Sequence, residues 1–536
     1  MTPYRSPLAP LLAGALLAGC VHGLDSPEPD DDTDPGVRVC RDIHGQRIGM
    51  DEDRSVYDQD RIEVLVVDLR VDDLAGLAAV NADEPGAEVA ATFIAVDGDG
   101  TVQLPARLEL RGQSSRLANQ KSYKVHLDDG TWRGQYELNL NKHPFDLSRV
   151  RNQLSFELFR GIEHMGSLRT QFVQVLINGE DYGLFTHIEE PDGDFLAAHG
   201  LDPEGTVYKG QRWELWPIDD ATAADDAAMD ELVDSKNNPD PVKLARMSRA
   251  INDWSRDIND VIDEHLDRDN YITWLAMNLL LGNFDTRDQN YILYSPSDCD
   301  TWYFLPWDYD GALGFYEQPR QLAAGLVRPR WRAGPANWWG TGLHERFLRD
   351  PRNLQDLRER MDELRGERLS DGEVAGLLAT YRNVVREYVS RSPDLWQLPV
   401  LRGTSEAADI VAQWDEEFER LNGVVREFDA EYAAVIDRPM PVFLWEGDPV
   451  QGMHFEWSPS YDFQGDPVSY DFELATTPDF DEASIVERQV GLADTWTALT
   501  DLAAGDYFWR VLIREDGQPQ VSWQISFESA RPLAID

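Results

Sequence analysis

Positive charge is scarce in this sequence, and lysine is scarcer still. The 536 residues include 49 Lys and Arg against 98 Asp and Glu, a formal net charge of −49, and only six of the cations are lysines. Phosphate backbones would repel such a surface, which argues against nonspecific nucleic-acid binding. Two interpretations of the acidity stay open: a heavily hydrated surface that favours solubility, and a surface that recognises a basic partner protein.

Cysteine and clustered histidine are also rare. The ten His are scattered without the spacing of zinc ligands, and no Gly-x-Ser-x-Gly motif is present. These absences argue against a zinc site and against hydrolysis by a Ser–His–Asp triad. Cys40 and Cys299 stand far apart in the chain, and sequence alone leaves open whether they form a disulfide, because their Cα separation is unknown.

The N-terminus has the pattern of a targeting signal. A basic start and an apolar stretch at residues 8–17, too short to span a membrane, lead to Leu17-Ala18-Gly19-Cys20. Small residues directly before a cysteine resemble the lipobox of bacterial lipoproteins. The resemblance implies a signal peptide over residues 1–19, lipidation of Cys20, and an exported lipoprotein anchored at the outer membrane or cell surface. An ordinary secretory peptide is the alternative.

Residues 20–45 are predicted to be a flexible acidic tether, because the run LDSPEPDDDTDPG offers little to bury. In the following chain, alternating apolar residues predict strands first, and helical spacing predicts helices later. This order predicts an α+β body over residues 55–437. Strands are predicted at residues 61–69, 92–96, 102–110, 122–127, 136–140, 172–177, 182–188, 291–294 and 302–305, and helices at residues 146–160, 269–281 and 344–437.

The last hundred residues differ in kind. Strand-like segments spaced by turn residues recur after Pro439 and Pro441, and residues 440–536 resemble fibronectin type III or other immunoglobulin-like modules. The resemblance implies a small all-β sandwich that serves as a spacer or an adhesive module. Its strands are predicted at residues 453–457, 468–474, 495–499, 507–513 and 520–527.

Side chains with the chemistry of phosphoryl transfer follow the apolar helix at residues 269–281. Asp285 and Asn290 have the D-x-x-x-x-N spacing of the kinase catalytic loop, in which the Asp accepts the substrate hydroxyl proton and the Asn holds magnesium. Asp308 follows a predicted hairpin, where kinases present a second magnesium ligand. Carboxylate and amide oxygens suit Mg²⁺. The alternative is that Asp285 and Asn290 only cap a turn.

Six segments, in order over roughly residues 63–315, resemble the spore coat protein H (CotH) family of atypical kinases. They are residues 110–116 (LRGQSSR), 121–124 (KSYK), 178–183 (NGEDYG), 188–190 (IEE), 282–290 (GNFDTRDQN) and 306–310 (PWDYD). The resemblance implies a two-lobed kinase-like body, with a strand-rich N-lobe and a helical C-lobe, that uses ATP and Mg²⁺. The usual His-Arg before the catalytic Asp and Phe-Gly after the metal Asp are absent. Tyr309-Asp310 follows Asp308 instead, so Asp310 is a further candidate for the metal shell.

The nucleotide phosphates are expected near the loop between two strands that carries Arg111, Gly112, Ser114 and Ser115. Small residues there let backbone N–H groups approach phosphate oxygens, although a plain hairpin turn is the alternative.

Lys121 or Lys124 is the predicted phosphate lysine, with Lys124 favoured, because strand alternation points only one of them to the site. Its acidic partner is predicted to be Glu157 or Glu189. The loop at residues 319–342 is predicted to be a substrate-facing lid or a surface loop over packed tryptophans. Its basic and aromatic residues are Arg328, Arg330, Trp331, Arg332, Trp338 and Trp339.

The sequence therefore favours an ATP- and magnesium-dependent kinase that phosphorylates Ser or Thr of a surface or secreted protein, with a basic acceptor suited to the acidic chain. The alternative is a surface adhesion or assembly protein that keeps the kinase-like fold without catalysis. The intact set of Asp285, Asn290 and Asp308 favours the first.

Overall fold

The computed structural model describes residues 36–59, 62–79, 87–98, 100–112, 116, 118–319, 333–395, 407–445, 453–500, 502–515 and 530–535. The predicted signal peptide, Cys20 and most of the predicted tether lie outside these residues. The chain divides into two units, Met1–Gly36 and Val37–Asp536, and all helices and strands named below belong to the second unit. Within the described residues, no helix combines the length and apolar character needed to cross a membrane.

Seven strands form a closed barrel in the order β1-β2-β3-β4-β5-β7-β6, in which β1 and β6 run parallel and the other neighbours antiparallel. They are β1 (Leu65–Val71), β2 (Val89–Asp97), β3 (Gly100–Arg111), β4 (Ser122–Leu127), β5 (Glu137–Asn141), β6 (Thr170–Ile177) and β7 (Glu180–Glu189). Alternate side chains such as Leu108, Val125 and Leu138 fill the interior and leave the intervening positions outside.

Two helices belong to this part of the chain, α1 (Leu74–Ala79) and α2 (Arg151–Phe159). The predicted helix at residues 146–160 starts later than expected, and its N-cap position is Val150 and not Asp146. Asp146 accepts from the backbone N–H groups of Ser148 at 2.9 Å and of Arg151, the first residue of α2, at 3.2 Å; it also pairs with the fully buried Arg151 guanidinium, which binds Glu417 as well. This buried ion triad fixes α2 against the C-terminal helices.

A second, four-stranded sheet has the order β11-β10-β8-β9. It consists of β8 (Thr206–Gly210), β9 (Val233–Asn237), β10 (Tyr291–Ser295) and β11 (Tyr303–Pro306). The β10–β11 hairpin agrees with the sequence prediction, but β8 and β9 were not predicted. The surrounding helices are α3 (Gly193–Ala198), α4 (Asp220–Ala223), α5 (Asp226–Leu232), α6 (Pro241–Ile251), α7 (Ile258–His265), α8 (Arg268–Leu281), α9 (Gly342–Arg349), α10 (Pro351–Gly366), α11 (Asp371–Val389) and α12 (Ala407–Ile436).

Helix α8 lies at the centre of this mixed α+β body. Asp267 caps it by accepting from the Asn270 N–H, and every residue from Asn270 to Leu281 is buried. It ends at Gly282, which adopts φ 61°, and a Cβ there would stand 2.2 Å from the Phe428 ring. The chain therefore turns sharply at the end of α8 and enters the predicted catalytic loop.

The disulfide Cys40–Cys299 joins the N-terminal segment to the loop of the β10–β11 hairpin, with a Cα–Cα distance of 5.3 Å. Asp300 and Thr301 accept hydrogen bonds from the backbone N–H groups of Arg38 and Cys40, at 2.7 and 3.0 Å. Arg38 and Cys40, which belong to the predicted tether, are thus bonded to the folded body, whereas Ile43 and His44 are exposed.

The C-terminal region is β-rich, in agreement with the prediction. It contains β12 (His454–Glu456), β13 (Val468–Ala475), β14 (Ile485–Leu492), β15 (Trp496–Ala498), β16 (Gly505–Glu515) and β17 (Arg531–Ile535), in sheets ordered β12-β15 and β14-β13-β16-β17. Phe455, Trp457 and Trp509 occupy its core. The predicted strand at residues 520–527 lies outside the described residues.

Candidate active site

Asp285 and Asn290 meet in the loop after α8. Asp285 lies in a 3-10 turn, Phe284–Thr286, and its Oδ2 accepts from Asn290 Nδ2 at 2.9 Å, while its Oδ1 accepts from Gln289 Nε2 at 3.1 Å. Burial, and after it the negative charges of Asp310 and Asp288, raise the pKa of Asp285. Two amide donors therefore orient a carboxylate whose charged form is disfavoured by its surroundings.

Asp308 follows β11 and is held by helix α2. Asn152 Oδ1 accepts from the Tyr309 backbone N–H at 2.5 Å, and Asn152 Nδ2 lies 3.5 Å from Asp308 Oδ1. Both Asn290 and Asp308 have left-handed backbone, with φ of 57° and 56°. Such a conformation is uncommon outside glycine and is retained when surrounding contacts impose it. The two predicted metal ligands thus occupy constrained backbone positions.

The acidic groups near Asp308 act on one another. Burial, followed by the negative charge of Asp310, raises the pKa of Asp308 to about 6, with a further contribution from Asp285 and opposition from Lys209 and His143. Asp310 Oδ2 lies 3.6 Å from His143 Nδ1. Carboxylates that disfavour one another's ionisation suit a bound cation, which would neutralise them.

These residues fit a magnesium ion that is completed by a substrate. Among the described residues, no three His, Cys, Asp or Glu side chains are placed to hold a metal ion by themselves. Mg²⁺ is commonly held by one or two carboxylates together with phosphate oxygens and water. Asp308 and Asn290 supply hard oxygen ligands of this kind, and Asp310 is close enough to contribute.

Positive side chains approach the same region from the barrel. Arg111, at the end of β3, donates to Asn141 Oδ1, and its charge interacts with those of Glu190, Asp308 and Asp310. Gly112 follows with φ 89°. Ser114 and Ser115, the other predicted phosphate-loop residues, lie outside the described residues.

Lys124 and Lys121 take different surroundings, as their alternation in the sequence predicts. Lys124 Nζ lies 2.5 Å from Glu137 and 3.6 Å from Glu190. Lys121 Nζ donates to the Arg116 carbonyl, and its side chain lines a separate cavity of about 310 Å³. Lys124 therefore has acidic partners that differ from the predicted ones, and its contact with nucleotide phosphates stays a prediction.

Glu189 and Glu157 have structural partners. The fully buried Glu189 accepts from Arg169 at 2.7 and 2.9 Å and contacts His199 Nε2 at 2.9 Å. Although burial opposes it, His199 and Arg169 lower the pKa of Glu189 to about 2. Glu157 pairs with Arg160 at 2.6 Å. The prediction that either of them pairs with Lys124 is wrong; its acidic partners are Glu137 and, farther away, Glu190, the residue after Glu189.

A polar face on the outside of the barrel was missed in the sequence. Cross-strand neighbours Glu109, Lys124 and Asn139 stand side by side on β3, β4 and β5, and Asn139 donates to Glu190 at 2.6 Å. Glu190 also binds Lys236 of β9 at 2.9 Å. The signal was present as polar residues at every second position of three successive strands.

The predicted lid is described only in part. Arg328, Arg330, Trp331 and Arg332 lie outside the described residues. Trp338 packs edge-on against Trp274, with 5.6 Å between the ring centroids, and Trp339 packs on Tyr461, with 5.4 Å between the ring centroids. These two tryptophans are buried and support the core and the C-terminal region.

Comparison with known proteins identifies the family of this chain. The sequence pattern of the CotH kinase protein family matches residues 108–428, so the chain belongs to this family. It is 27% identical over 245 residues to the inner spore coat protein H of Bacillus subtilis, a match that covers 42% of this chain and 64% of that protein. A solved structure, the Helicobacter pylori proinflammatory kinase CtkA, is 12% identical, with a TM-score of 0.27, over 59% of this chain and 93% of that one.

Proposed function

We propose that this protein is an exported, lipid-anchored atypical kinase that transfers the γ-phosphoryl group of ATP to Ser or Thr of a surface or secreted protein. The observation that carries the proposal is the hydrogen bond from Asn290 to Asp285 beside Asp308, at the end of a buried helix. Membership of the CotH kinase family supports the same reaction class.

In the proposed reaction, the acceptor hydroxyl oxygen bonds to the γ-phosphorus as the bond to the β–γ bridging oxygen breaks, and ADP leaves with that electron pair. Asp285 receives the hydroxyl proton. Its raised pKa brings it closer to neutral pH, which suits a group that must accept a proton during the reaction. Gln289 and Asn290 hold the carboxylate in a fixed orientation.

Asn290 and Asp308 would hold Mg²⁺, with Asp310 beside them. When bound, the ion supplies charge neutralisation and alignment of the phosphates. The protein fixes the positions of both ligands through their left-handed backbone conformation and, for Asp308, through the hydrogen bond from the Tyr309 N–H to Asn152 Oδ1. Arg111 and the lysines of this region supply positive charge for the phosphates.

Two observations support export and anchoring. The segment Leu17-Ala18-Gly19-Cys20 has the lipobox pattern, and the Cys40–Cys299 disulfide is typical of proteins that fold in an oxidising compartment. Mass spectrometry of the membrane fraction tests the anchor. We expect a diacylglycerol-modified Cys20 at the mature N-terminus and loss of membrane association in Cys20→Ser; an unmodified or uncleaved N-terminus would contradict the anchor alone.

Phosphoryl transfer tests the enzymatic proposal. The full chain is incubated with γ-labelled ATP, Mg²⁺ and a peptide rich in Ser and Arg. We expect labelled phosphoserine, with at least a hundredfold loss in Asp308→Asn and Asp285→Asn, since removing a general base or a charge-stabilising group costs factors of this order. The matched control is Asp298→Asn, which replaces an exposed Asp in the loop between β10 and β11 and should keep the activity of the unaltered protein. Label that persists in both site variants would refute the site; no transfer by any protein would favour the non-catalytic surface role.

A further inference from the structure

Among the residues that the structure describes, Lys209 has no acidic partner within 4.0 Å, although the negative charge of Asp308 acts on it. It is on β8, where its strand neighbours are Ile292 of β10 and Asp234 of β9. Its ammonium stands 5.8 Å from the centre of the Trp307 ring, and Trp307 directly precedes Asp308. No role was predicted for this lysine from the sequence.

The other five lysines all have oxygen partners. Lys124 and Lys236 share Glu190, Lys142 binds Asp394 at 2.8 Å, and Lys121 and Lys243 donate to backbone carbonyls. Within the described part of the chain, the ammonium of Lys209 makes no ion pair within 4.0 Å and no hydrogen bond. A cation without a partner is unusual in a protein with twice as many acidic as basic residues.

The charges around Lys209 come from both sides of the candidate site. Asp308 is the strongest acidic influence on it and Asp234 a second, while Lys236 and Arg111 oppose its charge. Burial lowers the pKa of Lys209. The positive charges of Lys209 on the second sheet and Arg111 on the barrel therefore oppose each other, and both interact with the charge of Asp308; an anion that contacts both cations would relieve this repulsion.

We infer that Lys209 binds the terminal phosphates of the phosphate donor, with Arg111 opposite and the ion held by Asp308 on the same phosphates. The inference rests on the proposed function and identifies the donor as a nucleotide recognised through its β- and γ-phosphates. It also replaces Lys124 in this role, because Lys124 already has Glu137 and Glu190 as partners. A compact ammonium on a long stem suits contact with phosphate oxygens.

Calorimetric titration of the full chain tests the inference. The probes are a non-hydrolysable β,γ-imido analogue of ATP, ADP and pyrophosphate, each with Mg²⁺, and adenosine. For Lys209→Met we expect the affinity for the imido analogue to fall about 10- to 100-fold, because a charge-assisted contact is lost, while the affinity for adenosine is unchanged. The affinity for ADP should fall less than the affinity for the imido analogue. If the affinity for pyrophosphate falls as much as the affinity for the imido analogue, Lys209 acts on the phosphates alone, as proposed.

Lys243→Met is the matched control. Lys243 also lies over a tryptophan, 5.6 Å from the Trp302 ring centre, and burial lowers its pKa too, but its acidic neighbours are Asp300, Asp240 and Asp298. It should bind all four probes as the unaltered protein does. Equal loss in the two variants would assign the effect to lost packing and overturn the inference.

The outcomes separate this inference from the proposed function. An unaltered chain that does not bind the magnesium-bound imido analogue overturns both. Binding by the unaltered chain that Lys209→Met retains in full overturns only the role of Lys209. If Lys209→Met fails to fold, acetylation of the unaltered protein decides. The imido analogue with Mg²⁺ should then slow acetylation of Lys209 at least tenfold and leave Lys243 unaffected, whereas equal rates for Lys209 with and without it would refute the contact.

Discussion

Replacing Asp308 by Asn should make the metal-free protein more stable while it removes the metal ligand. Burial and Asp310 raise the pKa of Asp308 from 3.8 to about 6. Because the folded state holds this proton more tightly than the unfolded chain does, ionisation of Asp308 destabilises the fold by about 3 kcal/mol at pH 7.5. The penalty is absent below the unfolded pKa and grows as pH rises from about 4 to 6.

The neutral amide of Asp308→Asn carries no such penalty, and its Oδ1 can accept from Asn152 Nδ2 in place of the carboxylate. For a chain of this size the unfolding entropy is roughly 1 kcal/mol/K, so we expect the melting temperature at pH 7.5 in a chelator to rise by about 3 °C. The gain should vanish near pH 4. Scanning calorimetry of the full chain at both pH values measures it.

The control for this experiment is Asp298→Asn, which changes charge equally at an exposed position of the same hairpin and should melt as the unaltered protein does. An Asp308→Asn protein that melts at or below the temperature of the unaltered protein at pH 7.5 would refute the reasoning. Asp308 would then be a structural carboxylate whose charge the fold needs.

Two further predictions concern the surroundings of the site. Cys299→Ser opens a loop with a sequence separation of 259, so it should destabilise the protein by up to about 5 kcal/mol and abolish the effect of a reductant on melting; melting unchanged by reductant in the unaltered protein would contradict this. Despite burial, Glu189 raises the pKa of His199 to about 9, so this pair stabilises fully below pH 6.5 and loses that stabilisation as pH rises through 9. Between pH 6.5 and 9, the free energy of unfolding of the unaltered protein should fall by about 3 kcal/mol, and His199→Gln should not show this fall. His44→Gln, at an exposed position, should show the same pH dependence as the unaltered protein. Parallel curves for the unaltered protein and His199→Gln would refute it.

Local features of the fold were predictable because they depend on neighbouring residues. The segment at residues 269–281, which is apolar nearly all round after its first turn, corresponds to α8, since only a buried helix tolerates apolar residues on every side. Asn178-Gly179 forms the β6–β7 turn with positive φ at both residues, as that dipeptide favours. Asp285 and Asn290 meet for the same reason: both belong to one short loop.

Partners from distant segments were not predictable. Adjacent residues of an extended chain point to opposite sides. Glu189 therefore joins the buried network with Arg169 and His199, and Glu190 pairs with Lys124. The sequence does not show which of the two glutamates takes which side. Lys236 contacts Glu190 because it lies on β9, which pairs with β8 in the second sheet. Neither strand was predicted from the sequence. Lys142 and Asp394 pair across a separation of 252 residues.

Binding of Mn²⁺, followed by electron paramagnetic resonance, shows whether Asp308 holds the cation, because Mn²⁺ takes the same oxygen ligands as Mg²⁺ and reports its own coordination. With the imido analogue of ATP present, the full chain should bind Mn²⁺ tightly, Asp298→Asn should bind it equally well, and Asp308→Asn should bind it at least tenfold more weakly. Equal Mn²⁺ affinity in the unaltered chain and in Asp308→Asn would contradict the account, because the cation would then be held elsewhere.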